Sequence, residues 1–98
     1  MRRLNANLQM LAETHVGFKC PGCLCVHWVP VHGDGVTWQW NGEADTITLS
    51  PSLLINKHDP ANRCHLFVQG GKLAFLSDSH HALAGKTVDM VPIADEEF

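Results

Sequence analysis

Apolar and polar residues alternate along most of the chain in short runs cut by Gly, Pro, Asn and Asp, a pattern of strands and tight turns. From Leu24 to Val31, Cys25, His27, Val29 and Val31 fall on one side and Leu24, Val26, Trp28 and Pro30 on the other. Both sides are largely apolar, which predicts a central strand. His32-Gly33-Asp34-Gly35 reads as a turn. Val36, Trp38 and Trp40 then alternate with Thr37 and Gln39 up to a reversal at Asn41-Gly42. Thr46 to Leu49 is a further strand, broken at Ser50-Pro51-Ser52 because Pro51 cannot donate to a ladder, and Leu53 to Ile55 resumes as a fresh strand or edge. The polar loop Lys57 to Asn62 leads into Cys64-His65, and Leu66 to Val68 pairs with Leu73 to Leu76 around Gly70-Gly71.

The ends of the chain are less regular. Leu4, Leu8 and Leu11 are spaced for one helical face. The competing and favoured reading is a strand over Leu8 to Ala12 that turns into a second strand ending at Cys20. Ser77 to Gly85 has the form of a helical turn with Ser77 or Asp78 as N-cap and Gly85 as stop, and Thr87 to Val91 forms a last strand before a frayed tail at about 92–98. The fold class is therefore mainly β: a single small antiparallel domain over residues 1–98, built of hairpins, with roughly six or seven strands, a zinc knuckle and little helix.

Ninety-eight residues bury only a thin core, so a metal crosslink is a natural supplement to apolar burial. The net charge of −3 gives no general attraction to phosphate, although Arg2, Arg3 and Lys19 could form a local basic spot; nucleic acid is a weak candidate partner. Four cysteines in a chain without an apolar run long enough for a signal peptide or membrane span point to a reducing compartment, the cytoplasm, where thiols bind metal more often than they pair. Of the seven histidines, His15, His32 and His58 lie near turns and read as solvated side chains.

Cys20-Pro21-Gly22-Cys23 is the chemical centre of the sequence. Two thiols across a Pro-Gly turn can reach one ion and supply half of a tetrahedral site, with zinc the expected metal for thiolate and imidazole donors. Cys64-His65 is the densest remaining concentration of ligands, so the expected set is Cys20, Cys23, Cys64 and His65. Adjacent strand residues point to opposite faces, and the last two can share an ion only if Cys64 still lies in the loop. Cys25 reads as a small core residue rather than a third ligand of the knuckle, and His27 and His81 as reserve ligands or as groups supporting the ligands. Trp38 and Trp40 could stack on bases, but aromatic core packing is the commoner fate.

The order Phe-x-Cys-Pro-Gly-Cys from Phe18, Trp-x-Trp-Asn-Gly from Trp38, Thr-x-Ser-Pro-Ser from Thr48, Arg-Cys-His-x-Phe-Val from Arg63 and His-Ala-Leu-Ala-Gly-x-Thr-Val from His81 resembles a family of small phage and prophage proteins whose members often carry the label ammonia monooxygenase. The resemblance covers about Phe18 to Val88. It implies a zinc-ribbon-like β domain and, more distantly, a likeness to domains encoded beside bacterial ubiquitin-like conjugation genes. The family pattern falls on Cys20, Cys23, His27, Cys64, His65 and His81. Relatives often carry Asp-Cys-Thr-His where this chain has Asp78-Ser79-His80-His81, so either that cysteine is no ligand or His80 replaces it.

The function expected on these grounds is a zinc-stabilised phage or prophage interaction module with a protein partner and no turnover, since no Ser-His-Asp or paired-carboxylate arrangement stands out. The alternatives are a metallohydrolase with an open zinc position and Asp78 or a spare histidine as base, and a nucleic-acid-binding zinc ribbon. One outcome would favour a hydrolase: His65 free of the metal and lying beside His81 and Asp78 in a cleft.

Overall fold

The computed structural model describes residues 2–94; the rest of the acidic tail lies outside the described residues. Among the described residues, nine strands form two antiparallel sheets. The first joins β1 (Arg2–Asn5), β2 (Leu8–Leu11), β3 (His15–Cys20) and β4 (Cys25–Pro30) as a meander in sequence order. The second joins β5 (Gln39–Trp40), β6 (Leu49–Ile55), β7 (Cys64–Gln69), β8 (Lys72–Phe75) and β9 (Thr87–Asp89), again in sequence order. There is no helix among the described residues, and the architecture is all-β.

Alternation assigns the inner faces. Leu8 and Met10 on β2, Val16, Phe18 and Cys20 on β3 and Val29 on β4 share one buried cluster with Leu49 and Leu53 on β6, Cys64, Leu66 and Val68 on β7 and Leu73 and Phe75 on β8. Each of the Val, Leu, Met and Phe side chains in this set contributes about 1.5–3 kcal/mol by leaving water. Ile93 is 3 % exposed and its N–H donates to the Ala6 carbonyl at 3.0 Å, so residues 92–94, the first part of the segment expected to fray, lie against the first sheet.

Several local readings change. The Leu4-Leu8-Leu11 spacing is not a helix: Asn5 Oδ1 accepts from the Asn7 N–H at 2.8 Å, closing an Asx turn that folds β1 onto β2. Strand β4 is an edge of its sheet rather than central. On its second apolar face Trp28 folds over Gly17 of β3, burying part of that face within the sheet, so two apolar faces did not require two strand neighbours. The strand expected from Val36 shrinks to Gln39–Trp40, because the Trp38 N–H is taken by the Pro30 carbonyl and its indole N–H by the Ser52 carbonyl. Ser77 to Gly85 forms turns without a helix.

The break expected at Pro51 is instead a bulge within a continuous β6. Leu49 pairs with Val68 and Leu53 with Leu66, so four steps along β6 match two along β7. This excess re-aims the side chains of Ser50 to Ser52.

Gly17 is fixed by close approach, since a Cβ there would lie 2.5 Å from Trp28 Cζ3. Gly17→Ala is expected to lower unfolding free energy by about 1–3 kcal/mol through overpacking. Chemical denaturation checks this, and the loss should shrink when Trp28→Leu is made in the same chain.

Candidate active site and metal centre

The Pro-Gly turn between β3 and β4 presents Cys20 and Cys23 at one end of the sandwich, with the Cys23 N–H donating to Cys20 Sγ at 3.3 Å. β7 brings Cys64 to the same place, and the turn after β8 brings His81. The ligand atoms of Cys20, Cys23, Cys64 and His81 all lie within 4.8 Å of one another. Cys20 Sγ and Cys64 Sγ are 4.0 Å apart, and Cys64 Sγ is 3.4 Å from His81 Nε2. A tetrahedral zinc with metal–sulfur bonds of about 2.3 Å spans about 3.8 Å between sulfurs and about 3.6 Å from sulfur to nitrogen, so this donor set fits zinc. The His81 ring packs edge-on against Phe75, with centroids 4.6 Å apart, and its ring fills the space a Cβ on Gly22 would need.

All four cysteines are free thiols, and three of them crowd this cluster. The Cys64 thiol donating to Cys20 is the main cause holding Cys20 well below the usual thiol range, with His27 and the Cys23 N–H helping against burial. Burial, then the negative charge on Cys20, push Cys23 up to about 12. The shared proton with Cys20, followed by burial, pushes Cys64 up as well. One thiolate is thus stable, and two more require a cation to offset their mutual repulsion.

His65 is not in that group. Cys64 is the first residue of β7, not part of the loop, so Cys64 points into the core and its neighbour points out. On the outer face His65 Nε2 lies 3.3 Å from Ser52 Oγ, and His65 Nδ1 lies 3.1 and 3.2 Å from the two oxygens of Asp78. Ser52 owes its position to the β6 bulge and Asp78 to the turn after β8. The Ser79 hydroxyl fixes the histidine's backbone, accepting from the His65 N–H at 3.1 Å and donating to the His65 carbonyl at 3.0 Å.

His80 Nε2 is 3.3 Å from Cys23 Sγ, beside the thiol cluster. His27 is 8 % exposed and packs edge-on to Phe18; its Nε2 has no hydrogen-bond partner among the described residues. Cys25 is exposed at the start of β4 and outside the cluster, so it is not the core residue its apolar neighbours suggest. Trp38 and Trp40 hydrogen-bond to the Ser52 and Glu43 carbonyls and pack against the core. In the expected basic spot, Arg2 forms a double hydrogen bond with Glu13 at 2.6 and 2.7 Å.

Reading the sequence alone overlooked Ser52. Its signal is the polar interruption Ser50-Pro51-Ser52 inside an apolar strand pattern, which by itself reads as a simple break.

A serine, a histidine and a carboxylate in hydrogen-bonded order form the constellation used by serine hydrolases, which is recognised by geometry and not by chain order. The chain belongs to the family described as the bacterial ubiquitination-like system serine protease (BubE), whose model matches residues 2–76. That span contains Ser52 and His65 and ends two residues before Asp78. No curated protein and no solved structure matches the chain. No helix among the described residues is long and apolar enough to cross a membrane.

Because Cys23 and Cys64 are both pushed toward their protonated forms, loading the cluster with zinc is expected to release about two protons, so binding should tighten as pH rises, by about a hundredfold per unit near neutrality. Calorimetric titration in two buffers of different ionisation enthalpy counts the protons.

Proposed function

We propose that this protein is a serine hydrolase that cleaves an acyl bond in a protein substrate of a bacterial ubiquitination-like system. The observation that carries this is the Ser52–His65–Asp78 relay on the outer face of the second sheet. Asp78 accepts from His65 Nδ1–H, which fixes the tautomer and leaves Nε2 free to take the Ser52 proton. Ser52 Oγ then bonds to the substrate acyl carbon. The bond to the leaving amine or alcohol breaks, and His65 Nε2–H returns its proton to that leaving group. Water, deprotonated by His65, frees the acyl group and restores Ser52. The 3.3 Å separation of Oγ and Nε2 is in the range usual for such pairs before substrate draws them together.

In this reading Cys20, Cys23, Cys64 and His81 hold zinc. Four protein donors complete a tetrahedron, so the ion's contribution is structural: it ties β3, β7 and the turn after β8 together in a small core. The relay replaces the contact-only module as the preferred reading. The expected protein partner is retained as substrate, and a bacterial cytoplasm fits the free thiols. With its charge of −3, the chain offers no general nucleic-acid surface.

Two outcomes test this. A fluorophosphonate probe should label Ser52, and Ser52→Ala should abolish labelling while leaving zinc content and the unfolding midpoint unchanged; labelling elsewhere, or none, refutes the assignment. Asp78→Asn should lower the rate of labelling by about 10³–10⁴-fold with zinc retained. Cys20→Ser and His81→Ala should instead lose zinc and cooperative unfolding, and elemental analysis separates the two groups. Full zinc retention in His81→Ala would return His65 to the ligand set.

A further inference from the structure

The backbone beside the nucleophile carries a hydrogen-bonding edge that the relay does not use. The His65 N–H goes to Ser79 Oγ and its carbonyl accepts from the Leu76 N–H at 2.8 Å, both on the β8 side. The Leu54–His65 pair is therefore the non-hydrogen-bonded kind, and the Leu54 N–H and C=O face away from β7. Ser52, two residues earlier, has the same orientation, and its carbonyl takes the Trp38 indole N–H at 3.2 Å from that side. The next strand, β5, pairs only Gln39 with Ser50 and Trp40 with Leu49, and stops short of Leu54. The Leu54 side chain, 43 % exposed, stands on the same face as His65.

We infer that the β6 edge at Leu54 binds the acyl portion of the substrate as an added antiparallel or parallel strand, so that the substrate is an extended polypeptide segment recognised by its backbone. The inference rests on the serine-hydrolase reading and names the form of substrate that site takes. A strand rises about 3.3 Å per residue, so pairing at Leu54 sets the scissile carbonyl at Ser52 about two residues along the substrate. The Trp38 indole closes the edge at Ser52, which leaves the slot open on the Leu54 side only. Binding the acyl side suits the chemistry, because the acyl portion must stay in place through both formation and hydrolysis of the Ser52 ester, whereas the leaving group departs after the first step.

The test uses the intact protein and unstructured peptide esters N-methylated at one backbone position at a time. Methylation at one position about two or three residues before the scissile carbonyl should lower kcat/KM at least tenfold, with methylation on the leaving side changing it less than twofold. In the Ser52→Ala variant, saturating unmethylated peptide should shift the Leu54 amide resonance. Uniform tolerance of methylation, or a Leu54 amide that stays put at saturation, overturns edge pairing while probe labelling of Ser52 still stands. Absence of probe labelling overturns the serine-hydrolase reading and this inference with it.

Discussion

The arrangement of both centres depends on the strap that ties residues 63–65 to residues 76–81. The His80 N–H donates to the Arg63 carbonyl at 2.7 Å, the Leu76 N–H to the His65 carbonyl at 2.8 Å, and the Ser79 hydroxyl closes on both polar groups of His65. Within this strap two adjacent β7 residues leave the backbone on opposite faces: Cys64 goes inward to the thiols and His65 outward to Ser52. The facing turn repeats the division, with Asp78 serving His65 and His81 serving Cys64. In the proposed reading, an ion held by Cys64 and His81 would also limit the play between His65 and Asp78. Such a coupling would give a structural metal a role in the geometry of the proposed reaction without touching it.

The bulge in β6 is the second constraint. A regular strand would keep Ser50 and Ser52 in step with β7, and Pro51 would leave a ladder position without a donor. Four residue steps against two take up that mismatch and place the Ser52 hydroxyl over the outer face, within reach of a histidine on the neighbouring strand. Irregular backbone beside the proposed nucleophile fits the general finding that bulges gather next to active sites. The inner face keeps its packing on either side, since Leu49 and Leu53 remain buried at 2 and 4 % exposure.

Much of this protein was written in local sequence. The strict alternation of β3, β7 and β8 determined which residues face the core, because side chains on a strand have a period of two regardless of partner. The hairpins at Cys20 to Cys23 and at Gly70-Gly71 lie where the turn residues put them, and the Cys-Pro-Gly-Cys spacing brings two thiols together without help from the rest of the fold. Tertiary structure decided the rest. Whether Cys64 sits in a loop or a strand determines whether His65 can join it, and hydrogen bonds from residues 76–80 settle that as a strand. Ser52, His65 and Asp78 are separated by thirteen residues at each step and share no local periodicity; only the register of β6 on β7, and the turn folded back onto β7, bring them within hydrogen-bonding distance. The same long-range pairing makes β4 an edge despite its two apolar faces and leaves the Leu54 edge open, because a strand's neighbours are set by where distant segments pack and not by its own residues.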